Sequence, residues 1–186
     1  MFFLAFSLVN HDAANIKGCR LGWAVSLPEP QDTDRLGTAA AAALKANMHT
    51  VNEAGFALRL CGNLGAGKTS FMRALLRALG WQGPVKSPTF SLLETYDVAG
   101  ACINHFDFYR FEEPIEFEDA GFRDLYAPGA FSASEWSERA EPYLPKPDLV
   151  LSLAEEGLGR RATIVATTNP GEAFLNAMRA AWNAAA

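Results

Sequence analysis

"GFALRLCGNLGAGKTSFMRALLRALG", residues Gly55 to Gly80, decides the fold. Gly55 to Gly62 is a short apolar run with Arg59 on one face, and it reads as a strand. Lys68 to Leu79 carries apolar residues at helical spacing and stops at Gly80, so it reads as a helix. Between them, Gly62-Asn63-Leu64-Gly65-Ala66-Gly67-Lys68-Thr69 fills every fixed position of G-x-x-x-x-G-K-[ST]. A strand, a glycine loop and a helix in immediate succession form the unit in which such a loop cradles phosphate.

The chemistry explains the residue types. A polyphosphate is multiply anionic and needs convergent backbone N–H groups, a positive helix end and a close approach that side chains would block. Glycines at 62, 65 and 67 permit that path. Lys68 reaches the β and γ phosphates as a mobile point charge, the Thr69 hydroxyl is placed to bind a bridging Mg²⁺, and Ser70 adds an amide or hydroxyl nearer the α phosphate. A glycine-rich helix entry that binds nothing is set aside, because the match is complete and lies between an apolar strand and a helix.

The 186 residues, 49% hydrophobic and 20% charged, suffice for one well-buried domain. A formal net charge of -5 lacks the basic balance of a protein that binds nucleic acid by itself. If nucleic acid matters, a partner holds it. Cys19, Cys61 and Cys102 are far apart and without metal-ligand spacing, which suits a reducing cytosol and small core residues. The apolar start, "MFFLAFSLVN", is too short to span a bilayer and has no basic residue before it, so a soluble, cytoplasmic protein is expected. Residues 1–23 show no usable period and are set apart as a leader, with the domain over 24–186.

Around the loop, "DTDRLGTAAAAALKANM" (Asp32 to Met48) reads as an alanine-rich helix capped by Asp32 or Thr33 and packed flat on a sheet. "SLLETYDV" and "ACINHFDF", joined through Ala99-Gly100, read as an antiparallel hairpin. The acidic "EEPIEFEDAGFRDLYAPG" reads as a solvated, charged face with a helix over Pro114 to Ala120 and a turn over Phe122 to Tyr126. "AFSASEW" (Ala130 to Trp136) reads as a central strand and "SERAEPYLPKP" as a loop. "DLVLSLA" and "RRATIVATT" form a final hairpin, and "PGEAFLNAMRAAWNAAA" a last helix. The predicted fold is a single-domain α/β P-loop NTPase, its sheet mixed parallel and antiparallel and flanked by helices.

Two patterns point toward guanine and both are weak. Asp97 to Gly100 spells D-x-x-G, but a hairpin turn is its plainer reading. Lys146-Pro147-Asp148 supplies K-x-D, yet Pro145 stands where an asparagine amide would bond guanine. ATP is preferred. Such a site also needs a carboxylate near the metal and a group that senses the γ phosphate. Thr89 in "KSPTF", Asp107 in "HFDFYR" and Glu135 in "SEW" are candidates, each with a plainer reading: a loop hydroxyl bonding its own backbone, a strand-end turn residue, a surface carboxylate. For Trp136 that reading is a core side chain.

Taken together, G-N-L-G-A-G-K-T, S-P-T-F, H-x-D-x-Y-R and E-W-x-E in this order resemble the TsaE (YjeE) family, small bacterial ATPases of the tRNA threonylcarbamoyladenosine pathway. The resemblance covers about Leu27 to Thr168, with departures at Ser70, where threonine is common, and in the polar strand before Glu135. It implies that Gly65, Ala66, Gly67, Lys68, Thr69 and Ser70 bind ATP, and that Thr69 and Glu135 bind Mg²⁺. It further implies that Asp107 is the Walker B-like carboxylate, Thr89 a switch-type threonine, Trp136 a neighbour of the nucleotide and Thr33 a contact on its adenine side. Lys68, Thr89, Asp107 and Glu135 are then the catalytic set. The resemblance also implies a purpose: ATP-dependent association with the TsaD and TsaB proteins, which handle the threonylcarbamoyl group and the tRNA. A small-molecule kinase and a non-hydrolysing nucleotide-binding module remain alternatives; the chain shows no arginine-rich lid, and Arg110 is the nearest candidate for an arginine finger.

Overall fold

The computed structural model describes residues 19–185. A seven-stranded sheet has the order β1-β7-β6-β2-β5-β4-β3. The strands are β1 Leu21–Leu27, β2 Phe56–Cys61, β3 Leu93–Val98, β4 Ala101–Asp107, β5 Ala130–Glu135, β6 Leu149–Glu156 and β7 Gly159–Ala166. The four central strands, β6, β2, β5 and β4, run parallel. The hairpins β3–β4 and β6–β7 and the outer strand β1 are antiparallel, so the mixed sheet expected from sequence is present. The leader proposed for 1–23 falls largely outside the described residues, and its last three residues, Leu21 to Trp23, are the start of β1.

The helices are α1 Pro30–Ala46, α2 Met48–Ala54, α3 Lys68–Leu79, α4 Glu116–Asp119 and α5 Asn169–Ala184. The first helix begins earlier than the sequence suggested. Its N-cap is Glu29, whose backbone carbonyl accepts from the Asp32 N–H at 3.0 Å, while the Asp32 carboxylate accepts from the Glu29 N–H at 2.9 Å. Neither Asp32 nor Thr33 is the cap, and Pro30 with its fixed φ opens the first turn. Buried residues of α1 share one core with the sheet, and the helix approaches α3 and α5 most closely, because a stripe of alanines and Gly37 lets the backbones come together.

Alternation along the strands sorts side chains between two faces. Phe56, Leu58 and Leu60 of β2, Ile103 of β4, Phe131 and Ala133 of β5 and Leu149 and Leu151 of β6 join the core under α1, α3 and α5. Phe106, Phe108, Phe111 and Phe117 build a second, aromatic core on the other face. That core corrects the reading of 112–129 as a solvated face. Its glutamates are outward, but Phe117 is fully buried and meets Phe108 and Phe122 edge to face. Single aromatic residues inside an acidic run carried the packing there.

The polar strand β5 is nonetheless buried along its whole length. Its serines are satisfied rather than exposed: Ser132 donates to the Leu125 carbonyl at 2.6 Å, and Ser134 and Ser137 share a hydrogen bond of 3.0 Å. Asn104 of β4, also fully buried, donates to the same Leu125 carbonyl at 2.9 Å. Among the described residues, no helix is long and apolar enough to cross a membrane.

Candidate functional site

The loop leaves the carboxyl end of β2 and enters α3 at Lys68. Ligands in open α/β sheets bind outside the carboxyl ends of the parallel strands, and the candidate residues gather there. Two glycines are fixed by geometry. A Cβ on Gly62 would stand 2.5 Å from the Leu153 carbonyl oxygen, and Gly67 caps α3 at a φ of 104° that L side chains rarely adopt. The twelve-residue α3 therefore aims its first amides and its positive end into the loop.

Lys68 is 5% exposed. Its ammonium donates to the Gly62 carbonyl at 2.7 Å and the Asn63 carbonyl at 3.1 Å, and lies 3.5 Å from Oε2 of Glu135. It also sits 5.1 Å from the ring centroid of Trp136. That ring is placed by backbone: Trp136 adopts a φ of 55°, a strained value for a bulky residue, and so reverses the chain directly after Glu135. On its other side Trp136 packs on Tyr109 with centroids 5.1 Å apart.

Glu135 and Asp107 face each other in the β4–β5 register, and Leu60, just before the loop, is the β2 partner of Glu135. By alternation both carboxylates lie on the α3 side of the sheet, and both are buried, at 3% and 2% exposure. Their partners differ. Glu135 has Lys68 and the His105 ring, 2.9 Å from Oε1. Asp107 is held by hydrogen bonds from neutral groups: Thr89 Oγ1 at 2.6 Å and Ser87 Oγ at 3.2 Å donate to Oδ2, and the Tyr109 N–H donates to Oδ1 at 3.0 Å. Ser87 and Thr89 are themselves 2.9 Å apart.

On the far side of the loop, Thr33 is 1% exposed and its hydroxyl has no partner among the described residues. Its Cγ2 and the Arg160 guanidinium both lie 3.4 Å from where a Gly67 Cβ would be, and Arg160 Nη2 donates to the Gly65 carbonyl at 3.4 Å.

Most of the residues singled out from sequence thus converge. Lys68, Glu135 and Trp136 form one contact set, Thr89 and Asp107 a second, and Thr33 borders Gly67. Ala66 is buried within the loop, Gly65 is exposed, and Thr69 and Ser70 are half-buried on the first turn of α3. No hydrogen bond among the described residues ties the Thr69 hydroxyl to either carboxylate. His105 and Ser87 stand in the quoted motifs but were given no role, and Arg160 was not singled out. His105 and Ser87 stand two residues before Asp107 and Thr89, so strand periodicity pointed at the first; the approach of Arg160 comes only from the β6–β7 hairpin folding over the loop. The donor set of hydroxyls and carboxylates consists of hard oxygens and fits Mg²⁺, and the orphaned Thr33 hydroxyl beside the glycine cradle fits a nucleotide.

The chain matches the family model "Threonylcarbamoyl adenosine biosynthesis protein TsaE" over residues 27–163. It is similar to the tRNA threonylcarbamoyladenosine biosynthesis protein TsaE of Haemophilus influenzae, 39% identical over 130 residues that cover 70% of this chain and 81% of the relative. Similarity to the protein of the same name from Treponema pallidum is 35% over 136 residues, 73% of this chain and 94% of the relative. The crystal structure of Bacillus subtilis YdiB shares the fold with a TM-score of 0.63 at 24% identity, covering 86% of this chain and 94% of YdiB. A family match over most of the domain, with the loop, both carboxylates and Trp136 inside it, means that this chain belongs to the TsaE family.

Proposed function

We propose that this chain is an ATPase that supports formation of threonylcarbamoyladenosine in tRNA, acting through ATP-dependent association with the TsaD and TsaB proteins rather than by transferring the threonylcarbamoyl group itself. The observation that carries the reading is the convergence of Lys68, Glu135 and Trp136 at the loop mouth, with Asp107 and Thr89 beside them. Lys68 exchanges its loop carbonyls for phosphate oxygens, where its charge is stronger in a water-poor setting. Thr69 with Glu135 or Asp107 would hold Mg²⁺, which when bound neutralises charge on the β and γ phosphate oxygens. Asp107, held by the neutral donors Thr89, Ser87 and the Tyr109 N–H, keeps its carboxylate available to accept from a water. Thr89, bonded to Asp107 at 2.6 Å, links that carboxylate to the 86–92 loop and so reports the γ phosphate to it.

Hydrolysis by the chain alone is slow in this reading, because the arginines nearest the site are otherwise engaged. Arg110 stacks on Phe90 at 4.2 Å, and Arg160 bonds the Gly65 carbonyl. The acidic balance suits a protein partner, with tRNA reached only through it. The test is ATP turnover with and without TsaD and TsaB, alongside partner pull-down with wild type and Lys68→Ala. Turnover that rises with the partners, and partner capture altered by the substitution, supports the reading. Fast turnover that ignores them refutes it, and stoichiometric γ phosphate transfer to an organic hydroxyl would instead mark a small-molecule kinase.

A further inference from the structure

We propose that His105 is the positioning residue of Glu135: its ring holds one carboxylate oxygen on the β4 side, so that the other stays aimed at the loop when Lys68 turns to phosphate. The inference rests on the nucleotide reading of the site. Glu135 divides its two oxygens between two buried groups, Oε1 to His105 Nε2 at 2.9 Å and Oε2 to Lys68 Nζ at 3.5 Å. His105 is fully buried. In the β4–β5 register it stands opposite Ala133, whose small side chain leaves the ring free to reach along β5 to Glu135. Nδ1 is buried and has no partner among the described residues, and because a carboxylate oxygen accepts, Nε2 is the nitrogen that carries the hydrogen and donates.

The two partners are not equivalent. Lys68 is a flexible ammonium on the loop, and a polyphosphate competes with Glu135 for it. His105 is a rigid ring, fully buried on the central strand β4. Once Lys68 moves, a carboxylate without His105 has no neighbour to fix its rotamer, and neither oxygen is held toward the loop. With His105 in place Oε1 stays committed and Oε2 remains a single, oriented oxygen ligand. Groups that orient a metal's ligands are worth about 10- to 100-fold in metal affinity.

The experiment uses the full chain and its His105→Leu and His105→Gln variants. Glutamine can place an amide N–H where Nε2 stands, whereas leucine fills the space without a donor. Mn²⁺ binding in the presence of ATP is followed by electron paramagnetic resonance, and binding of a fluorescent ATP analogue is measured in EDTA. The expected result is Mn²⁺ affinity weakened about 10- to 100-fold in His105→Leu and largely recovered in His105→Gln, with metal-free analogue affinity unchanged. Native-like Mn²⁺ affinity in the leucine variant overturns the proposal, as does a glutamine variant no better than leucine, since that is a packing role. If the leucine variant does not fold, His105→Asn, whose shorter amide falls short of Oε1, carries the same expectation. Failure of the wild-type chain to bind Mn²⁺ with ATP overturns the nucleotide reading itself and the proposal with it.

Discussion

Replacing Gly37 with alanine sets helix propensity against packing, and the two give opposite signs. Gly37 lies inside α1, where alanine should stabilise by about 1 kcal/mol on propensity alone. A Cβ at that position would stand 2.4 Å from the Phe71 carbonyl oxygen and 2.8 Å from Ala74 Cβ. The first of these is backbone of α3, which cannot rotate away, so α1 and α3 must separate. Overpacking of this kind costs about 1 to 3 kcal/mol, and a clash with a helix carbonyl belongs at the upper end. The net expectation is destabilisation of about 2 kcal/mol, a fall in Tm of roughly 4 to 8 °C for a domain of this size. Because Phe71 is one turn from Lys68, nucleotide affinity should fall with it. Differential scanning calorimetry against Thr38→Ala, an exposed site on the same helix expected to change by less than about 0.5 kcal/mol, supplies the comparison. An unchanged or higher Tm for Gly37→Ala would refute the close-approach argument.

Cys61, at the end of β2, has its thiol pushed up to about 11, by burial first and the Glu138 charge second, against the opposing pull of Arg59, Ser152 and Lys68. Its thiolate is then about one part in a thousand at pH 8, so peptide mapping after alkylation should find exposed Cys19 labelled well before Cys61 in the folded chain and both labelled equally in denaturant. Because the unfolded thiol ionises first, near its ordinary 9.0, this group's contribution to stability is lost as pH rises through 9.0 toward 11; a chemical denaturation midpoint that holds steady across that range would contradict it. Thr168 caps α5 by accepting from the Gly171 N–H at 3.1 Å and donates to Asp148 at 2.6 Å, so Thr168→Ala should cost about 1 to 2 kcal/mol in urea unfolding, with ATP binding unaffected.

Local rules read the chain well wherever one residue's conformation decides the outcome. Gly80 ends α3 in the left-handed region, Ala99-Gly100 turns the β3–β4 hairpin, and both elements appear where the spacing predicts them. Those rules were weaker where a partner decides. The cap of α1 went to Glu29 because Asp32 reaches back to its amide, and β5 tolerates two buried serines, Ser132 and Ser134, because Leu125, Leu58 and Ser137 stand within reach of their oxygens.

The site divides in the same way. The phosphate loop is legible from residues 62–70 alone, since glycine conformations and a helix N-terminus are local properties of the chain. The motif set around it, Thr89, Asp107 and Glu135-Trp136, could be named from order and spacing. Only the tertiary structure decided which of these pair, because hydrogen bonds between β4, β5 and the 86–92 loop join residues 18 to 30 positions apart. It separated a carboxylate shared by a lysine and a histidine from one held by hydroxyls and an amide, and it brought Arg160 to the loop from the far hairpin. Sequence spacing carries residue type and face; the distance between two faces is set by how the sheet twists and how closely α3 packs on it.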